Sequence, residues 1–487
     1  MKRIVLLVIA TFTMIGANAQ IGELSLRAQG KTLAPASFRT FYINGDTSSI
    51  LVEQNASLIN MRYELIRTDM DQKELARARY RREFNRIYLD GFDNPDGVDL
   101  LVEEFDKNGT WFKVTREHRD PATLEVQGES TVLGELSGSK KDKMGFLWAK
   151  SPNKLLTAGV YIMQREGEGA EATVKLMNRK YEEYWQMTTR LRVLSFIHVT
   201  DSGEVIIGGW RQQKESSEAS FEIIALDGEK DYTYHFEVNE GRFMEIRFAN
   251  YAKGKIYIFG MLREDGKKGD GSQADRLMSI CYDTKTKRLT EDVHKLTPVE
   301  VNRLYNYKDN SHTKSAVRFL QIDATTGGPD GGASIVLSQQ WIEHYQKTPD
   351  RTCKQGLLVA TVDGDGHFNH VLARRMNTSI TSANDNLLSI GLNRAKNGTL
   401  LFYTEHPSTA EKSETASVKT FSPGMMKGVL TVVYLPDSGE PKVQHINVGK
   451  FGIYITPKNL GDDKYLFFLR GRTKAQLGVF SLNSDLK

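Results

Sequence analysis

"SFIHVTDSGEVIIGGWRQQ" (Ser195–Gln213) and, a few residues later, "FEIIALDGEKDYTYHFEV" (Phe221–Val238) decide the fold class. Each is a pair of apolar runs, rich in β-branched and aromatic residues, around a polar centre: Asp201-Ser202-Gly203 in the first, Asp227-Gly228 in the second. Such runs read as strands, and the centres read as tight turns, because Gly tolerates positive φ and Asp satisfies its own backbone. Two successive hairpins therefore give four antiparallel strands.

The first hairpin pattern recurs along the chain. It is found in "FYINGDTSSILVEQ" (Phe41–Gln54), "IYLDGFDNPDGVDLLVEE" (Ile87–Glu104), "FLWAKSPNKLLTAGVYIMQRE" (Phe146–Glu166) and Ser195–Gln213. It continues in "EIRFANYAKGKIYIFGMLRE" (Glu245–Glu264), "FLQIDATTGGPDGGASIVLSQQWIE" (Phe319–Glu343), "SIGLNRAKNGTLLFYTEH" (Ser389–His406) and "IYITPKNLGDDKYLFFLRGR" (Ile453–Arg472). These eight copies lie about 46 to 74 residues apart, a self-similarity that marks a solenoid or a propeller. A second hairpin follows most later copies: Phe221–Val238, Leu277–Val293, Leu357–Ala373 and Leu430–Ile446.

Two hairpins per unit make one four-stranded blade, and on this pattern the chain resembles the β-propeller superfamily. The resemblance rests on strand pattern and period. The WD dipeptide, the kelch double glycine and the Asp-box motif are absent as repeated signatures, and "DKNGTW" (Asp106–Trp111) has the wrong spacing for the last. The resemblance implies an all-β chain folded as a single propeller over residues 20–487, with eight blades and seven as the alternative. Only three strands follow Ile453, ending in "AQLGVFSL" (Ala475–Leu482), so "ELSLRAQGK" (Glu23–Lys31) is expected to complete the last blade and hide two sheet edges.

"MKRIVLLVIATFTMIGANAQ" joins basic Lys2 and Arg3 to an apolar run, Ile4–Ile15, and an A-x-A pattern at Ala17 and Ala19. This reads as a signal peptide, residues 1–19, cut before Gln20, because the run is short of the roughly 18 to 20 residues needed to span a bilayer. The expected location is extracytoplasmic: periplasmic, surface-associated or secreted. No later stretch reads as a transmembrane segment. Of 65 basic residues 63 then remain against 61 acidic ones, mixed throughout, which makes nucleic acid an unsuitable partner. Two cysteines, Cys281 and Cys353, give no disulfide framework, and the cross-blade alignment places Cys353 in a loop before a third strand.

With blade strands lettered a to d outward from the axis, a–b and c–d turns share one face, and b–c and d–a loops share the other. The long connections fall on the second face: Arg263–Arg276, Trp341–Gly356 and His406–Gly428 between b and c, Gly134–Gly145 and Leu296–Ser315 between d and a. Thr297-Pro298 with Glu300 predicts a capped short helix in the last. One-sided insertions mark the binding face of a repeat protein. Strand b ends there in charged or amide residues, Glu405 and Arg470 among them, which read first as strand ends entering solvent. The candidate partner-binding residues are Trp210, Arg211, Arg263, Trp341, His344, Tyr345 and His406, the aromatic ones as anchors.

"VATVDGDGHFNHV" (Val359–Val371) departs from a calcium-binding loop, because Gly366 comes too early; it reads as a c–d turn. His367 and His370 have no third His or Cys nearby, so no metal site is expected. No nucleophile-elbow, zinc-peptidase or phosphate-loop motif occurs, no cofactor is implied, and no catalytic residue is assigned. The leading expectation is a non-catalytic exported platform, a monomer on its own, that docks an envelope protein or glycan through the b–c/d–a face. The alternative is a glycan-directed hydrolase with acidic residues around the central funnel.

Overall fold

The structure is a computed structural model. It describes residues 20–486 apart from 29–37, 45–47, 56–61, 70–72, 82–84, 107, 166–169, 192–193, 195, 213–218, 239–241, 253, 264–272, 287, 308–315, 329–330, 346–349, 382–389, 411–417, 424, 462, 472–474 and 484–485. The expected leader, residues 1–19, lies outside the described residues.

Among the described residues there are eight four-stranded antiparallel sheets and one two-stranded ribbon. Numbered in chain order, sheet 1 runs over 38–81, sheet 2 over 86–137, sheet 3 over 143–191 and sheet 4 over 196–238. Sheet 5 runs over 242–295, sheet 6 over 320–381, sheet 7 over 391–449 and sheet 8 over 452–482. In sheets 1 to 7 the strands pair in sequence order. First strands of successive sheets pack together from sheet 3 round to sheet 8, and sheet 1 packs likewise against both sheet 2 and sheet 8. Sheets 2 and 3 share an apolar cluster that includes Phe92, Phe112, Tyr161 and Met177, and Lys150 of sheet 3 binds Asp90 of sheet 2 at 2.9 Å. The fold is a β-propeller.

Position in the sheet explains the sequence pattern. Among the described residues, second strands are covered on both faces by neighbouring sheets, so Gly398–Glu405 is buried at every residue and reads as an almost unbroken apolar run. Strands nearer the rim alternate, as in Trp111–Arg119, where buried and half-buried residues interleave. The turn at Asp363–His367 takes the expected c–d place: the Asp363 carboxylate accepts the N–H groups of Asp365 (2.9 Å) and His367 (3.0 Å), while Gly366 holds φ +91°. Asp227 and Asp283 cap the corresponding turns of sheets 4 and 5 in the same way.

Polar burial between sheets 1 and 2 has no counterpart in the sequence reading. Glu117 and Arg119, both 1% exposed, pair with each other, and Arg86 also binds Glu117. Arg119 further donates to the Tyr63 hydroxyl (2.6 Å) and the Leu124 carbonyl (2.7 Å), so the buried charges are both paired and hydrogen-bonded.

Sheet 8 is completed by the N-terminus: Gly22–Ala28 pairs antiparallel with Ala475–Leu482, from Gly22 opposite Leu482 to Ala28 opposite Gln476. Ile21 is fully buried in the apolar cluster shared by sheets 7 and 8, with Phe402, Tyr465 and Phe480. The Gln444 side chain of sheet 7 accepts the N–H groups of Ile21 (2.8 Å) and Gly22 (3.0 Å), and donates to the Gly22 carbonyl (2.9 Å). Ile21→Ala should cost about 2–5 kcal/mol through lost burial and a residual cavity, read as a lowered urea midpoint. An unchanged midpoint would mean that the N-terminal strand does not complete sheet 8.

Candidate interaction surface

The face that receives the b–c and d–a connections is built up over sheets 5 to 7. In sheet 6 the first strand has 8 residues, Leu320–Gly327, while the next three have 11, 12 and 14: Ala333–Glu343, Arg351–Val362 and Phe368–Thr381. Leu320 pairs with Gln339, so Trp341–Glu343 lies beyond the first strand and pairs with Arg351–Cys353 alone, as the inner edge of a protruding ribbon. The outer edge of that ribbon is met from sheet 7. Phe421, fully buried, donates its N–H to Asn377 and accepts from Ser379, both at 2.9 Å, in a parallel bridge to Thr378.

Helix α1 (Pro298–Leu304) supports the ribbon from the sheet 5 side. Thr297 and Glu300 form the expected capping box, and Thr297 donates its N–H to Glu300 at 2.7 Å. Glu300 also binds the His294 ring at 3.1 and 3.2 Å; burial pushes its carboxyl up, but these hydrogen bonds outweigh it and hold the group below its ordinary value. The helix packs on the third and fourth strands of sheet 6. Gly356, at φ +59°, lies where a Cβ would strike the Leu304 backbone at 2.3 Å, so close approach requires glycine. Past the helix, Asn306 exchanges two hydrogen bonds with the Met376 backbone, at 2.8 and 3.1 Å. The ribbon Gln273–Ala274 with Val317–Arg318 then ties the b–c connection of sheet 5 to its d–a connection.

Three of the candidate residues meet on the protruding ribbon. Trp341 is half-buried opposite Cys353, while His344 and Tyr345 are exposed at its tip. Asp350 holds the tip by binding His344 Nδ1 at 2.9 Å, and the Tyr345 hydroxyl donates to Glu343 at 2.7 Å, which holds that carboxyl below its ordinary value. His406 stands apart: it is half-buried, and its Nδ1 accepts the Ser408 N–H at 3.1 Å at the start of α2 (Pro407–Ala410). Trp210, Arg211 and Arg263 end the second strands of sheets 4 and 5, and their side chains lie outside the described residues.

The sequence reading missed the apolar residues of this surface. Ile342 is 50% exposed beside Tyr345 at 46%, Phe319 is 47% exposed where the d–a connection enters sheet 6, and Met425 and Met426 are exposed just past Phe421. Phe319 adopts φ +54°, unusual for an aromatic residue, and its carbonyl accepts the Gln340 N–H at 2.9 Å. The available signal was apolar residues inside otherwise polar connections.

Two strand ends differ from expectation. Glu405 is 1% exposed and Arg470 4% exposed although each is the last residue of its strand, and Thr431 of the adjacent strand donates its hydroxyl to the Glu405 carboxyl. Cys353 also differs: it lies inside a third strand, not in a loop. Both cysteines are free and buried, and burial pushes each thiol up to about 11.

Among the described side chains, acidic groups on first strands have cationic partners. Asp90 binds Lys150 at 2.9 Å and the Trp148 indole N–H at 3.3 Å, and Asp323 binds Lys354. Among the described residues no group of three or more His, Cys, Asp or Glu side chains is placed to hold a metal ion. His367 stands 3.8 Å from Asp292, and His370 binds the Asp437 carbonyl at 3.2 Å. No helix among the described residues is long and apolar enough to cross a membrane.

No family model matches the chain, and no curated protein matches it. Solved structures similar to it include the β-propeller domain of the trilobed protease from Pyrococcus furiosus, at 11% identity and a TM-score of 0.39, covering 84% of this chain and 96% of that one. The WD40 domain of SCAP from fission yeast is similar at 6% identity and 0.39, covering 95% and 99%. The polysaccharide lyase Uly1 is similar at 10% identity and 0.37, covering 80% and 89%.

Burial raises the Glu405 carboxyl above its ordinary value, against the hydrogen bond donated by Thr431 and the nearby Arg374 charge. The folded state thus holds this proton more tightly than the unfolded chain. Its contribution is present below the ordinary carboxylate range and is lost as pH rises through the raised value. Glu405→Gln should therefore match the wild type in thermal midpoint at acid pH and exceed it at neutral pH; a variant less stable than wild type only at neutral pH would contradict the assignment.

Proposed function

We propose that the chain is an exported, extracytoplasmic protein that works as a non-catalytic interaction platform, docking a protein or glycan of the cell envelope onto the surface over sheets 5 to 7. The observation that carries this reading is the protruding ribbon of sheet 6. It is braced by α1 on one side and Phe421 on the other, and it offers Trp341, Ile342 and Tyr345 beside exposed Phe319. Rigid aromatic and aliphatic anchors ringed by polar groups suit a docking surface, because little side-chain freedom is lost on binding. Export is supported by the basic, apolar and A-x-A order of residues 1–19. A hydrolase acting on glycans would need paired carboxylates free to exchange protons at the funnel. The ion pairs of Asp90 and Asp323 favour the platform.

The test is capture of partners from envelope extracts by wild type and by a variant carrying Ile342→Asp and Tyr345→Ser. Both side chains are about half exposed, so the thermal midpoint should hold within a few degrees while capture falls at least about tenfold. Point substitutions are preferable to removing the tip, since Arg351–Lys354 belongs to the third strand and pairs with Gln340–Glu343. Undiminished capture by a folded variant would sink the proposal.

A further inference from the structure

We propose that Gln20 is a modification site: once the leader is removed, its side chain closes on its own α-amine to give a pyroglutamyl N-terminus. This rests on the export reading, since it needs a chain that begins at Gln20.

The structure fixes the chain from its next residue onward. Ile21 is fully buried, and its N–H and that of Gly22 are taken by Gln444. Asn483 donates its backbone N–H to the Ile21 carbonyl at 3.0 Å and its side-chain amide to the Gln20 carbonyl. Gln20 itself is exposed. The expected cleavage point and the first buried residue of the fold are thus one residue apart, with glutamine, the residue able to cyclise, between them. Sheet 7 and the C-terminal segment hold this end in place, so its α-amine is presented outside the core.

In the reaction the unprotonated α-nitrogen of Gln20 attacks its own side-chain carbon Cδ. A C–N bond forms to close a five-membered lactam, the bond from Cδ to the amide nitrogen breaks, and that nitrogen departs as ammonia with a proton from the amine. No oxidation state changes and no co-reactant is consumed. An α-amine has a pKa near about 8, so an appreciable fraction is unprotonated at neutral pH, and nucleophile and electrophile share one residue. The lactam removes the terminal positive charge and leaves no free amine for an aminopeptidase. That protection matters here, because trimming two residues would take Ile21 from the core beside the strand that completes sheet 8.

The experiment is intact-mass and N-terminal peptide analysis of the mature protein from the cells that make it, with an aminopeptidase challenge, beside a Gln20→Ala variant. The expected wild-type chain starts at residue 20, is lighter by one ammonia than its free-amine form, and resists the aminopeptidase. The variant should show no ammonia loss and should be shortened. A mature chain that starts at Gln20 with its amine free overturns the modification alone. A chain that starts elsewhere overturns the cleavage point as well.

Discussion

A sheet edge carries backbone N–H and C=O groups that must be paired or solvated, and a ring of sheets has one place where chain ends would leave such an edge open. In this protein that place is sheet 8. Only three of its strands follow sheet 7, and Gly22–Ala28 supplies the fourth from more than 400 residues away. The closure is held by directional and non-directional forces together. Backbone pairing sets the register, the Gln444 side chain anchors Ile21 and Gly22 to sheet 7, and Ile21 enters a cluster with Phe402 and Phe480. The other sheets depend on this, because sheets 2 to 7 bury their second strands between two neighbours.

The surface over sheets 5 to 7 inherits its rigidity from the ring. Strands that leave the ring lose the partner on their inner side, so Trp341–Glu343 is paired only on the side of the third strand. The protein compensates from outside: α1 is capped at Thr297 and packs under the prolonged strands, Asn306 grips the Met376 backbone, and Phe421 extends the sheet by one bridge. Tyr345 and His344 at the tip are each held by a carboxylate, Glu343 and Asp350, which limits their freedom before any partner arrives.

Much of this was legible in the sequence because it is local. Two-hairpin periodicity, Asp-capped turns at Asp227, Asp283 and Asp363, the Thr297 capping box and the missing last strand each depend on residues a few positions apart or on a simple count. What was not legible depends on which strands outrun their neighbours. The prolongation that moves Cys353 from a loop into a strand, the burial of Glu405, and the bridge from Phe421 to Thr378 are set by contacts between sheets. The Glu117–Arg119 pair illustrates the same limit: alternating charges on a rim strand look solvated until the neighbouring Tyr63 and Arg86 are seen to cover them.

The closure can be measured directly by cross-linking. Ser25 and Val479 are opposite one another in the register of the first and last strands of the chain, at a spacing within the roughly 4.4–6.8 Å that a disulfide accepts. A chain carrying Ser25→Cys and Val479→Cys should form one intramolecular disulfide under mild oxidation, leave Cys281 and Cys353 as thiols, and gain thermal stability. Thiols that stay free at both positions, or link only between separate chains, would contradict a ring closed by its own N-terminal strand.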